Sequence, residues 1–116
     1  MHEAAAREFY AAIDEGDYDR LATLLTPAFV HERPDRTLSG RDTFVSFMRD
    51  DRPLTETSHE IEAVYTGDGE VAVRGTLRGA DGATLLKFVD IHRLSGDQIA
   101  HLTTYTAQTA ERLTEE

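Results

Sequence analysis

Apolar residues recur at helical spacing near the start of the chain and at every second position from about residue 59 onward, so two structural periods divide the sequence. Ala6, Phe9, Tyr10 and Ile13 mark one face of a helix over residues 3–15, which Gly16 ends by taking a left-handed conformation. Asp17 is placed to cap a second, short helix presenting Leu21, Leu24 and Leu25. Thr26-Pro27 stops that helix, because the residue before a proline avoids the helical region. Residues 28–32 read as a short strand and Arg33-Pro34-Asp35-Arg36 as a polar turn. Ser39-Gly40-Arg41-Asp42 has the form of a capping box and opens a third helix, with Phe44, Phe47 and Met48 on one face and its end before Pro53.

In the second half His59, Ile61, Ala63 and Tyr65 alternate with Glu60, Glu62 and Val64, and Gly67-Asp68-Gly69 turns the chain into a strand over residues 71–78. Gly79-Ala80-Asp81-Gly82 reverses it into a long strand over 84–94, and Ser95-Gly96-Asp97 leads to a last strand over 98–107. Helix, helix, strand, helix and then four antiparallel strands predict an α+β fold whose helices cover one face of a curved sheet. No repeat, linker or low-complexity stretch interrupts residues 1–116, which are read as one domain. At this length the chain buries enough surface for a core without disulfide or metal staples.

Composition narrows the chemistry. There is no cysteine, which excludes disulfides, thiolate metal sites and cysteine nucleophiles. No apolar run approaches the ~20 residues of a membrane span, and the opening Met1-His2-Glu3-Ala4-Ala5-Ala6 lacks the basic segment of a secretory leader. A cytoplasmic location is expected. Acidic residues outnumber basic ones 22 to 12, for a formal charge of -10, and Lys87 is the only lysine. That balance suits a halophile: a Debye length of ~3 Å at 1 M salt removes the self-repulsion of an acidic surface, so the fold is expected to be more stable in molar salt. It argues against nucleic acid as a partner, since the field is repulsive and Arg33 and Arg36 are interleaved with Glu32 and Asp35.

The stretch Phe9-Tyr10-Ala11-Ala12-Ile13-Asp14-Glu15-Gly16-Asp17-Tyr18, the helix opening Leu38-Ser39-Gly40-Arg41-Asp42 and the run Val89-Asp90-Ile91-His92-Arg93-Leu94-Ser95-Gly96-Asp97-Gln98-Ile99 together resemble the NTF2-like superfamily, in its SnoaL-like and ketosteroid-isomerase-like branch. The resemblance covers nearly the whole chain. It implies a cone-shaped, cystatin-like fold, a sheet wrapped around three helices and a deep apolar pocket, and a dimer formed through the outer face of the sheet. It leaves function open, because this fold hosts isomerases, cyclases, dehydratases, epoxide hydrolases and non-catalytic binders.

Asp90 is the residue that stands out. It interrupts Leu85-Leu86-Lys87-Phe88-Val89-Asp90-Ile91, a run so apolar that both faces of the strand must be largely covered, and a carboxyl there needs a partner or a raised pKa. Alternation gives it Leu86, Phe88 and His92 as neighbours on its own face, with Lys87 and Arg93 on the other. The resemblance sets Asp90 where ketosteroid isomerases keep a neutral aspartic acid that donates to the developing oxyanion. It sets Phe9 at that family's helix-1 tyrosine, with Tyr10 one step around the helix, and Arg33 at its carboxylate base. Leu102 and Thr104 stand where the SnoaL cyclases carry an acid/base pair.

Two registers of the last hairpin are open. A three-residue loop, favoured by the resemblance, pairs Leu94 with Gln98, sets Asp90 opposite Leu102 and leaves His101 outside beside Ile91; a two-residue Gly96-Asp97 turn pairs Ser95 with Gln98 and sets His92 opposite His101. Only the second supports a histidine pair, and no local ligand spacing points to a metal.

Asp90 and His92 are thus the candidate acid/base residues. Phe9, Tyr10, Ile13, Phe44, Phe47, Met48, His59, Phe88, Leu102 and Thr104 are the candidate pocket lining, with His31 a further rim candidate. Asp14, Asp17 and Asp19 read as caps at a helix junction, and Glu60 and Glu62 as a solvated face. The expected partner is a compact apolar molecule, used without a cofactor, with either acid/base catalysis through Asp90 or binding alone. Val89 and Ile91 leave an apolar outer face that predicts a homodimer.

Overall fold

The computed structural model describes residues 2–52 and 56–107. The chain forms helices α1 (His2–Glu15) and α2 (Tyr18–Thr23), strands β1 (Leu25–Glu32) and β2 (Thr37–Ser39), helix α3 (Arg41–Ser46) and four strands, β3 (Ser58–Gly67), β4 (Glu70–Arg78), β5 (Thr84–Ser95) and β6 (Gln98–Thr106). The strands make one curved six-stranded sheet in the order β2-β1-β6-β5-β4-β3, with the helices packed on one face. From β2 at one edge the chain crosses through α3 to β3 at the other, then meanders back until β6 lies parallel to β1. This is the α+β arrangement expected from the change of period.

The helix punctuation follows the sequence in part. Gly16 ends α1 at a φ of 70°, and the Asp17 carboxylate accepts from the backbone N–H of Arg20. The second helix stops at Thr23, ahead of Pro27, and the chain is already extended at Leu25. The capping box does not form: Gly40 is the N-cap residue of α3 at a φ of 97°, with no side-chain cap. Ser39 instead lies in β2, a short strand between the polar turn and the helix that the sequence pattern does not mark, and pairs with Val30. After Ser46 the helix widens into a π-helical turn over Phe47–Asp51, and Arg52 is extended. Pro53, the expected stop, lies outside the described residues.

Two β-bulges decide which side chains face inward, and neither is visible as a break in alternation. One lies between Ile61 and Ala63 on β3. It carries Ala63 and Tyr65, expected on the face of His59 and Ile61, to the outer surface, where Tyr65 is 58% exposed, and packs Val64 against the core. The other follows Ile99 on β6. The hairpin closes through the two-residue turn Gly96-Asp97, with Ser95 opposite Gln98 and Gly96 at a φ of 62°. The bulge then shifts the pairing by one residue, so His92 faces Leu102 and Asp90 faces Thr104. Both expected registers are therefore corrected. His101 stands opposite Arg93 and bonds Glu32 at 2.6 Å, so no His92–His101 pair exists.

On the inner face, Val73, Asp90 and Thr104 form one cross-strand row, and Val71, His92, Leu102 and His31 the next. Gly75 lies opposite Phe88, where an added Cβ would meet the carbonyl oxygen of Glu60 at 2.6 Å and the Phe88 ring at 2.8 Å. The absence of a side chain there is what lets Phe88 lie against β4. Above these rows sit Phe9, Tyr10, Ile13, Phe29 and Phe44, all buried.

Candidate functional site

A cavity of about 420 Å³ opens between the helices and the inner face of the sheet. Phe9, Tyr10 and Ile13 of α1, Phe44 of α3 and Met48 after it, and His59, Phe88, Leu102 and Thr104 of the sheet line it. Two predicted members do not. Phe47 is buried beside the wall, its ring under the guanidinium groups of Arg36 at 4.9 Å and Arg33 at 5.4 Å. His92 is fully buried behind Tyr10, with its ring edge-on to Phe9 at 5.3 Å. The lining also includes His31, Leu77, Leu86, Arg33 and Asp35. Arg33 donates to Asp35 at 3.1 Å.

Asp90 is 5% exposed and ends the polar track of this cavity. Tyr10 donates to its Oδ2 at 2.6 Å and Thr104 to its Oδ1 at 2.5 Å. Each hydroxyl has one proton to give, so each oxygen must accept from the next group along. The Tyr10 oxygen lies 2.7 Å from Nε2 of His92, and the Thr104 oxygen 2.8 Å from Nε2 of His31. This donor order assigns both imidazoles the Nε2–H tautomer. Two arms, His92–Tyr10 and His31–Thr104, therefore aim their protons at one carboxyl. Nδ1 of each histidine is buried with no partner among the described residues.

Burial raises the Asp90 pKa, against the hydrogen bonds from Thr104 and Tyr10 and the charge of His59, which lower it. Burial, then the adjacent Asp90 charge and hydrogen bond, pushes the Tyr10 hydroxyl well above the usual tyrosine range. Burial lowers His92 to about 3, and lowers His31 to about 3 with help from the Arg33 and His92 charges. Both are neutral at pH 7. A protonated Nδ1 on either would be a buried, unpartnered cationic donor, which is the physical reason.

Tyr10, not its neighbour Phe9, supplies the hydroxyl from α1. Phe9, which the resemblance sets at the helix-1 tyrosine, stacks on Phe44 at 5.9 Å, while Tyr10 reaches the carboxyl. The two adjacent residues lie about 100° apart on the helix, and only the angle at which α1 crosses the sheet decides between them. Asp14, expected as a cap, bonds His59 instead. Its Oδ1 accepts from Nδ1 of His59 at 2.7 Å and its Oδ2 from the His59 backbone N–H at 2.9 Å, tying the end of α1 to the start of β3. Among the described residues no group of three histidine or carboxylate side chains is arranged to hold a metal ion.

Residues 6–102 match the family profile described as a SnoaL-like domain. The chain belongs to this family. Solved structures similar to this SnoaL-like domain include an NTF2-like protein of unknown function from Cytophaga hutchinsonii, at 15% identity and a TM-score of 0.80, covering 100% of this chain and 96% of the other. A provisional ketosteroid isomerase from Kribbella flavida aligns at 17% identity and a TM-score of 0.82, over 93% and 78% of the two chains. An LEH-like epoxide hydrolase from M. tuberculosis aligns at 14% identity and a TM-score of 0.79, over 91% and 82%. At such identities the likeness shows that the SnoaL-like domain shares their fold. No match was found among curated proteins. No helix among the described residues is long and apolar enough to cross a membrane.

Proposed function

We propose that this SnoaL-like domain binds a compact, mainly apolar molecule bearing a carbonyl or hydroxyl oxygen, and that Asp90 exchanges a proton or hydrogen bond with that oxygen. The observation that carries the reading is a buried carboxyl on the cavity wall, held by hydroxyls and joined to no arginine or lysine among the described residues. A carboxyl whose pKa is raised by burial holds its proton to higher pH than an ordinary aspartate does, which suits it to the role of an acid. The apolar walls of Phe9, Ile13, Phe44, Met48 and Phe88 favour a ring-sized hydrocarbon body. A second reading, binding without chemistry, is favoured by one fact: both Asp90 oxygens already accept from protein hydroxyls.

Ligand-observed NMR with a set of ring-sized ketones and phenols distinguishes the two. Asp90→Asn is expected to keep the fold by circular dichroism and to weaken binding at least about tenfold, ~1.4 kcal/mol. Equal binding by both proteins would make Asp90 a structural group.

We further propose a homodimer through the outer sheet face. There Val89 stands opposite Tyr105, and Ile91 lies between Ala72 and Thr103. Tyr105 is 59% exposed, Tyr65 beside Ala72 is 58% exposed, and Val89 and Ile91 are only half-buried. Apolar side chains in adjacent rows of an otherwise acidic protein make a surface suited to a second copy. Val89→Asp is expected to raise the dissociation constant at least about tenfold, the effect of placing an unpaired charge in an apolar contact. Sedimentation equilibrium in molar salt measures this, and a wild-type monomer at high micromolar concentration would overturn it.

A further inference from the structure

The cavity holds a second titratable group that the arrangement around Asp90 does not use. His59 lines it from the start of strand β3, with its ring 5.1 Å from Tyr10 and edge-on to Phe88 at 5.8 Å. Its side chain is 15% exposed, which leaves the ring open to the cavity while its other edge is held. Asp14 accepts hydrogen bonds from Nδ1–H at 2.7 Å and from the backbone N–H of the same residue at 2.9 Å. With Nδ1 committed as donor, Nε2 carries the free lone pair, and among the described residues no hydrogen-bond partner engages it. A carboxylate that fixes the tautomer, orients the ring and stabilises the imidazolium once formed is the arrangement that makes a histidine an effective base.

The setting differs sharply from that of the other two inner histidines. His31 and His92 have their Nε2 atoms bonded to hydroxyls and their Nδ1 atoms sealed from the cavity, so neither can take a proton from a bound molecule. Facing His59 are Tyr10 and Asp14 from α1 and Asp90 from β5, with Arg52 in the cavity wall on the side of α3.

We propose that His59 is the base of this site, that Asp14 positions it, and that the substrate class is a molecule with an acidic C–H bond next to a carbonyl, or an equivalent group that gathers charge on oxygen. The inference rests on the acid/base reading of Asp90 given above. In the step, Nε2 of His59 takes the proton, the C–H electron pair moves to form a carbon–carbon double bond, and the carbonyl electrons move to oxygen. Asp90, in its protonated form, donates to that oxygen. Two groups with different environments, both lining one apolar cavity beside Tyr10, supply base and acid together.

The probe for the test is 5-nitrobenzisoxazole, a flat, mainly apolar molecule whose reaction has the same demand. A base takes the C–H proton, the electron pair completes a carbon–nitrogen triple bond, the nitrogen–oxygen bond breaks and the oxygen leaves as a phenolate. The wild-type chain is expected to accelerate this elimination above buffer, and His59→Gln to lower the rate at least about 100-fold, the usual size of a lost general base. Asp14→Asn should lower kcat with KM unchanged, because the probe does not touch Asp14. Nitrogen-15 NMR of the wild-type imidazoles should show His59 as the Nδ1–H tautomer. An Nε2–H tautomer overturns the proposal whatever the rates are. Elimination that survives in His59→Gln and is lost in Asp90→Asn overturns it while leaving the Asp90 reading in place. A wild-type rate equal to buffer at every pH overturns both.

Discussion

Acidification is expected to destabilise this fold by about 5 kcal/mol between pH 7.5 and pH 4.5, because two buried imidazoles must charge for the chain to gain the protons its unfolded form takes up freely. His31 and His92 are lowered from 6.5 to about 3 in the folded state, each with burial as the main cause. Between those limits the unfolded chain binds two protons that the native chain refuses, so stability is full above about pH 6.5 and falls as pH falls. The slope is about 1.4 kcal/mol per pH unit for each proton, or about 2.7 for the pair. Asp90 acts in the opposite sense: its pKa is raised on folding, so its own contribution is present at low pH and lost as pH rises through its folded value. Denaturant melts from pH 4.5 to 7.5 measure the net slope. His92→Gln should cut it by about half, since glutamine keeps a donor near Tyr10 and does not titrate. An unchanged slope would move the acid loss to the surface carboxylates.

The parts of this structure written in periodicity were legible, and those decided by geometry between elements were not. Phe88, Asp90 and His92 share the inner face of β5 as strict alternation requires, and the unusual position of Asp90 was visible from its apolar neighbours alone. The partners of Asp90 were not. Thr104 reaches it because a bulge after Ile99 compensates the short turn at Gly96-Asp97, and a one-residue compensation leaves no mark in the pattern of hydrophobic positions. Likewise the bulge beside Ile61 sends Tyr65 outward although its parity matched His59. His59 itself was recognisable as a rim candidate, but the carboxylate that orients it comes from a helix 45 residues away, where Asp14 looks like any polar residue near a helix end. The signal for it is its place one turn after Tyr10, on the same side of α1 as a residue of the site.

Tyr10→Phe is expected to cost about 3 kcal/mol at pH 7.5, a fall in Tm of more than about 10 °C for a chain of this size. The change removes one oxygen from a buried, fully packed position without altering the ring, so the loss is electrostatic rather than steric. Asp90 keeps Thr104 but loses its donor at Oδ2, and His92 loses the only acceptor given to its Nε2–H among the described residues. A buried carboxylate left short of a donor is worse off than a buried carboxylic acid, so the Asp90 pKa rises further in the variant. That gives the cost a pH dependence of known sign. A folded pKa raised further above the unfolded value widens the interval over which stability falls as pH rises, so the penalty should be smaller at pH 5 than at pH 7.5. A packing loss has no such dependence: Phe29→Leu, at a fully buried ring beside Phe44, should cost a similar amount at both pH values. Thermal and urea melts of the two variants at both pH values make the comparison. A Tyr10→Phe penalty that is the same at pH 5 and pH 7.5 would mean that Asp90 keeps one protonation state across this range, and would remove it as the acid of the site.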